Sequence, residues 1–90
     1  MFVWDETKRR KVIEEHKVDF ALITDIFDDS FGIYREDLDH SENENRYSVI
    51  GLTAEYGLVF AAFTYTDNNQ IRLITARRAE KWMVKQYEKG

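Results

Sequence analysis

Leu58-Val59-Phe60-Ala61-Ala62-Phe63-Thr64-Tyr65-Thr66, followed by Asp67-Asn68-Asn69-Gln70 and then Ile71-Arg72-Leu73-Ile74-Thr75-Ala76-Arg77, decides the fold. The first segment is apolar at nearly every position, as a central strand covered on both faces requires. Asp67–Gln70 is a cluster of residues that tolerate turn geometry and bond their own backbone. The chain therefore reverses there, and 71–77 forms the next strand. Upstream, Tyr47, Val49 and Gly51 alternate with Ser48, Ile50 and Leu52, a period of two that predicts another strand ending at a Glu55-Tyr56-Gly57 turn. Phe31-Gly32-Ile33-Tyr34-Arg35 reads as one more, joined to it by a polar loop from about Glu36 to Asn45. Four consecutive strands make a mainly antiparallel meander.

Helical periods lie outside this block. Phe2–Trp4 is a short apolar strand that ends at Asp5, a good N-cap for a helix over Glu6–His16 with Val12 and Ile13 facing inward. Asp19 caps a second helix to about Phe27, with Phe20, Ile23 and Phe27 joined by Leu22 and Ile26 on its apolar side. Ala79–Lys89 is the closing helix, where Met83 and Tyr87 share a face and part of the apolar surface with Trp82 is expected either to meet a partner, another protein or a second copy, or simply to pack on the sheet. The expectation is one α+β domain over residues 1–90, with a short N-terminal strand and two helices, a four-stranded mainly antiparallel sheet and a C-terminal helix.

Composition removes several functions. The absence of cysteine excludes a disulfide framework, a thiolate metal site and a cysteine nucleophile, and points to a cytoplasmic location. The longest apolar run, Leu58–Phe63, is far too short to span a bilayer. Two histidines without clustered partners make no metal site, and no phosphate-binding glycine loop is present, so no metal or cofactor is expected. The net charge of −4 alone argues against nucleic acid. Its distribution argues otherwise. Residues 8–17 carry five cations against two acids, and residues 70–90 carry six against two. Residues 19–46 hold nine acids against Arg35 and Arg46. Basic ends around an acidic centre suit two kinds of partner.

Two groups of residues could carry chemistry. In 71–78, strict alternation puts Ile71, Leu73, Thr75 and Arg77 on one face and Arg72, Ile74, Ala76 and Arg78 on the other. Arginines where a strand hands over to a helix suit phosphate, because guanidinium is always charged and offers a planar fork. Ion pairing to the acidic centre is the competing explanation. The second group is His40-Ser41-Glu42-Asn43-Glu44-Asn45-Arg46-Tyr47, an acid–base and phosphate-binding kit that a salt-bridged surface hairpin would equally explain. His16, at a helix C-terminus, reads as structural.

The ordered string resembles the BrnT toxin family. The resemblance is carried by Phe2-x-Trp4-Asp5-x-x-Lys8, His16-x-Val18-x-Phe20, Phe27-Asp28-Asp29, His40-Ser41-Glu42-x-Glu44-x-Arg46-Tyr47, Ile50-Gly51, Phe63-Thr64, Ile71–Ala79 and Tyr87-Glu88, essentially the whole chain. It implies a sheet with flanking helices like the RelE-type ribonuclease toxins, metal-independent RNA cleavage that halts translation, and neutralisation by a BrnA-like antitoxin. That antitoxin would carry the DNA-binding part, so operator DNA is met only through it. A homodimer or a heterotetramer with the antitoxin is the expected assembly, without membrane contact.

The chain departs from the family pattern at Val12 (usually Asn), Glu15 (usually basic), Lys17 (usually Gly) and Met83 (near a usual Glu). These departures bear on catalytic strength. On this reading the 2′-hydroxyl of RNA is the nucleophile. Arg72, Arg77 and Arg78 hold phosphate with Arg46 in support, and His40 or Glu44 is the base. Lys8, Arg9, Lys81, Tyr47 and Tyr87 are candidates for RNA contact, from free RNA or ribosome-associated mRNA. The rival readings are a catalytically weak homologue that binds the antitoxin as a co-repressor, and a plain structural or protein-interaction domain.

Overall fold

In the computed structural model, which describes residues 1–90, β1 (Phe2–Val3) leads into α1 (Glu6–His16). Asp5 caps α1, its carboxylate accepting from Thr7 N at 2.8 Å and Lys8 N at 3.2 Å. The helix ends at Lys17, which takes the left-handed conformation at φ 60°. A Cβ is penalised there and glycine is not. That conformation gives a physical reason for the glycine of the family pattern. Lys17→Gly should stabilise the fold by about 1 kcal/mol, raising the melting temperature by a few degrees in a thermal scan.

The second expected helix is corrected. Asp19 does act as a cap, accepting from Ala21 N at 2.9 Å. Residues 20–28 then form two 3-10 turns, Phe20–Leu22 and Thr24–Asp28, broken at Ile23. The tighter period of three aligns side chains at i and i+3. Phe20, Ile23 and Ile26 obey it and are all completely buried.

β2 (Ile33–Glu36), β3 (Tyr47–Thr53), β4 (Gly57–Tyr65) and β5 (Ile71–Arg78) form the antiparallel meander, and α2 (Lys81–Lys89) closes the chain. The sheet has five strands, not four. Its order is β1-β5-β4-β3-β2, with β1 parallel to β5 through Phe2–Ile71 and Val3–Arg72. The two-residue N-terminal segment satisfies the outer edge of β5 and becomes part of the sheet.

The alternation along β5 is also corrected. Phe63 pairs with Leu73 but Ala62 pairs with Thr75, so Ile74 is an extra residue, a β-bulge. Past the bulge the faces exchange. Leu73, Ala76 and Arg78 share one face, and Arg72, Thr75 and Arg77 the other.

The first face packs Val49, Val59, Ala61, Phe63, Leu73 and Ala76 against Val12, Val18 and the 3-10 turns. Gly51 permits that approach, since a Cβ would lie 2.7 Å from Ile26 Cγ1. The second face carries Ile50 and Ala62, which are buried, as is Met83 of α2. Arg35 of β2, on this face, bonds Gln86 of α2. Val12 and Met83, two of the departures from the family pattern, are therefore core residues.

Asp29 ties the layers together. Its carboxylate accepts from Tyr87 Oη at 2.6 Å, Leu52 N at 2.8 Å and Phe31 N at 2.9 Å. These bonds, the tyrosine's foremost, hold its carboxyl below the usual range. Asp19 is lowered likewise, chiefly by the Arg9 guanidinium. Between the unfolded and folded values the unfolded chain binds more protons, so stability is fully present above about pH 4 and is lost as pH falls through the folded values. The melting temperature should therefore drop below about pH 4, and Asp29→Asn should flatten the drop.

Candidate active site

The loop 37–46 between β2 and β3 is tied at its neck. Asp37 N donates to Arg46 O at 2.8 Å, and Ser41 Oγ bridges Asp37 O and Arg46 N. Farther along, Thr64 of β4 donates to Asn45 O, and Glu44 forms an ion pair with Arg72 of β5. A polar loop fastened at four points holds its side chains in place.

Within it, His40 Nδ1 lies 3.0 Å from Asp37 Oδ1 across the 3-10 turn Leu38–His40. A carboxylate on Nδ1 fixes the ring and its tautomer, leaving Nε2 as the proton acceptor. Arg46 presents a buried Nε that has no protein acceptor. Arg77 Nε is buried and unpaired in the same way, but Arg46, unlike Arg9, Arg72 and Arg77, makes no ion pair, so its guanidinium is free to take an anion.

His40, Glu42, Asn43, Glu44 and Arg46 line a depression of about 260 Å³. Asp5, Lys8, Glu44, Arg72, Leu73 and Ile74 line a second of about 160 Å³, beside the bulge. Glu44 is the shared wall, so His40, Arg46, Glu44, Arg72 and Lys8 come together although they lie on three separate stretches of the chain.

The other candidates lie elsewhere. Arg77 is on the second face, about 16 Å along β5 from Arg72 by strand rise, bonded to Glu80 at 3.0 Å and set over the Phe60 ring. Arg78 is on the opposite face, over the Tyr56 ring. The three arginines of β5 thus form no single row: the bulge brings Arg72 and Arg77 to one face, well apart along the strand, and leaves Arg78 on the other. Arg9 is engaged by Asp19 and Glu6, which push its guanidinium pKa up. Lys81 is exposed at the start of α2. Tyr87 donates its hydroxyl to Asp29, and that bond raises its pKa. Tyr47 stacks on Phe63. Trp82 remains 54% exposed, so part of α2 does present an apolar surface to solvent.

Asp37 and Ser41 were missed. The Asp37-x-x-His40 spacing was a readable signal for an oriented histidine. Nothing in the sequence indicated that Ser41 closes the loop.

A sequence profile described as "Ribonuclease toxin, BrnT, of type II toxin-antitoxin system" matches residues 4–82. The chain belongs to the BrnT family of ribonuclease toxins. The crystal structure of the Brucella abortus ribonuclease toxin BrnT superposes with a TM-score of 0.69 over 90% of this chain and 99% of that one. At 23% identity that likeness concerns the fold. No relative among curated proteins matches by sequence. Membership of a toxin–antitoxin family implies an antitoxin partner for this BrnT-family chain. No helix is long and apolar enough to cross a membrane.

Proposed function

We propose that this BrnT-family toxin cleaves single-stranded RNA at the depression formed by loop 37–46 and Arg72, without a metal ion, and thereby halts translation until a BrnA-like antitoxin binds it. The observation that supports this reading best is the oriented His40 next to the unpaired Arg46 Nε. His40 Nε2 takes the proton from the 2′-hydroxyl, and the resulting oxygen attacks phosphorus. The bond to the 5′-oxygen breaks, leaving a 2′,3′-cyclic phosphate, and water protonates the departing oxygen. Arg46, Arg72 and Lys8 stabilise the charge that gathers on the phosphate oxygens. Glu44 is a poorer base than His40, because the Arg72 guanidinium already holds its carboxylate. As RNA enters, its phosphate takes over that guanidinium from Glu44. DNA, lacking the 2′-hydroxyl, is inert.

A second reading is favoured by the ion pairs Arg72–Glu44, Arg77–Glu80 and Arg9–Asp19, which neutralise three candidate cations from within. It is a catalytically weak homologue that serves as an antitoxin-binding co-repressor. Induced expression, scored by growth and RNA integrity with and without the neighbouring antitoxin gene, separates them. Arrest with fragmented RNA, relieved by the antitoxin, is the outcome for the enzyme. Unimpaired growth with intact RNA leaves the co-repressor.

A further inference from the structure

β2 is the free edge of the sheet, and its register fixes which backbone groups face outward. Ile33 and Arg35 oppose Ile50 and Ser48 in the same ladder phase as the bonded pair Asp37–Arg46. Residues 33, 35 and 37 therefore bond β3, and the amides and carbonyls of Tyr34 and Glu36 point away from the sheet. Edge strands are usually blunted by bulges, prolines or cover. This one instead runs between two bare apolar residues, Phe31 at 71% exposure and Leu38 at 77%.

Beside the edge, Tyr34, Glu36, Tyr47, Phe63 and Tyr65 of the first face, with Arg35 at the rim, open a groove of about 380 Å³. Tyr47, Phe63 and Tyr65 pack ring to ring, with centroids 5.5–5.8 Å apart. The surroundings are acidic. Glu36 is the charged side chain of β2 on this face, while Arg35 lies on the other, against Gln86. Partial burial, followed by the charges of Tyr65, Asp29 and Asp28, raises the pKa of the Tyr34 hydroxyl.

We infer that the β2 edge with its tyrosine groove is the docking surface for an extended, basic segment of the protein partner, which adds a sixth strand and lays arginine or lysine side chains across the tyrosine rings. Backbone pairing supplies affinity and the alternating side chains supply selectivity. Cations over aromatic faces in an acidic setting supply the charge preference. RNA is disfavoured in this groove because Glu36 lines it and Asp29 and Asp28 lie near the Tyr34 hydroxyl. A second copy is disfavoured because pairing β2 with β2 would juxtapose the same acidic segment. The inference rests on membership of a toxin–antitoxin family and not on the cleavage chemistry.

The test is amide NMR of the full chain with three probes at millimolar concentration: a capped peptide alternating Arg and Val, its Glu–Val counterpart, and oligouridylate. The Arg–Val peptide should shift and protect from exchange the amides of Tyr34 and Glu36, with at least a fivefold preference over Glu–Val. Glu36→Pro, which deletes an outward N–H together with the carboxylate, should abolish the effect, whereas Glu36→Gln, which keeps the N–H, should lower only the preference for the Arg–Val peptide. Tyr65→Ser, on an exposed residue, should weaken it severalfold should the proline variant fail to fold. Equal response to the two peptides, shifts confined to Lys8, His40 and Arg72, stronger perturbation of the groove by oligouridylate, or β2 shifts that grow with protein concentration alone would each overturn it. Loss of RNA cleavage would leave these shifts unchanged, so the two proposals fail separately.

Discussion

His40→Ala lowers the single-turnover rate of RNA cleavage roughly 10²–10⁴-fold, the usual contribution of a positioned acid–base group. The ring's only protein partner is Asp37, at 3.0 Å, on the side away from the proposed substrate. Removing an exposed imidazole therefore takes away a proton acceptor without opening the core. Asp37→Asn should reproduce part of the loss, since an amide can hold Nδ1 in the wrong tautomer. Thermal melts of both variants should match the parent within about 1 kcal/mol, because surface changes of this kind are normally small. A rate unchanged by His40→Ala would remove the histidine from the mechanism.

Arg46→Ala should cost as much. A donor aimed at developing transition-state charge is worth about 2.7–4 kcal/mol, or 10²–10³ in rate. Its guanidinium has a buried, unpartnered Nε, so substitution forfeits no folded-state bond at that atom. The cost should fall on turnover, with little change in KM. Arg46→Lys should recover only part of it, because an ammonium point charge replaces the fork. Arg77→Ala is the contrast. Its bond to Glu80 and its place over Phe60 lie away from the loop, and cleavage should change far less. Equal losses at Arg46 and Arg77 would relocate the site.

Periodicity made most of the fold legible. The meander followed from the apolar run 58–66, the turn cluster 67–70 and the alternation of 47–52, and α1 from its Asp5 cap. The 3-10 turns did not follow, because Phe20, Ile23 and Ile26 satisfy periods of three and of 3.6 almost equally over so short a segment. The bulge at Ile74 left no mark either. Ile74 is an ordinary strand residue, and only its pairing with β4 shows that β5 carries one residue more. That single insertion moved Arg77 and Arg78 to faces the alternation had exchanged. For the site, the cluster from His40 to Arg46 was visible as a string, whereas its meeting with Arg72 and Lys8 depended on long-range pairing.

The pairing of Glu44 with Arg72 bears on how substrate enters. A guanidinium already satisfied by a carboxylate must exchange partners, so Glu44→Gln should tighten substrate binding.

Cleavage of a defined single-stranded RNA, in a translating extract without chelator and again in purified form with excess EDTA, tests the central proposal most directly. The expected result is a 2′,3′-cyclic phosphate at the cut, with cleavage abolished by a single 2′-deoxy substitution at that nucleotide and by Arg46→Ala. Cleavage that persists at the deoxy position, or that EDTA stops, would contradict it.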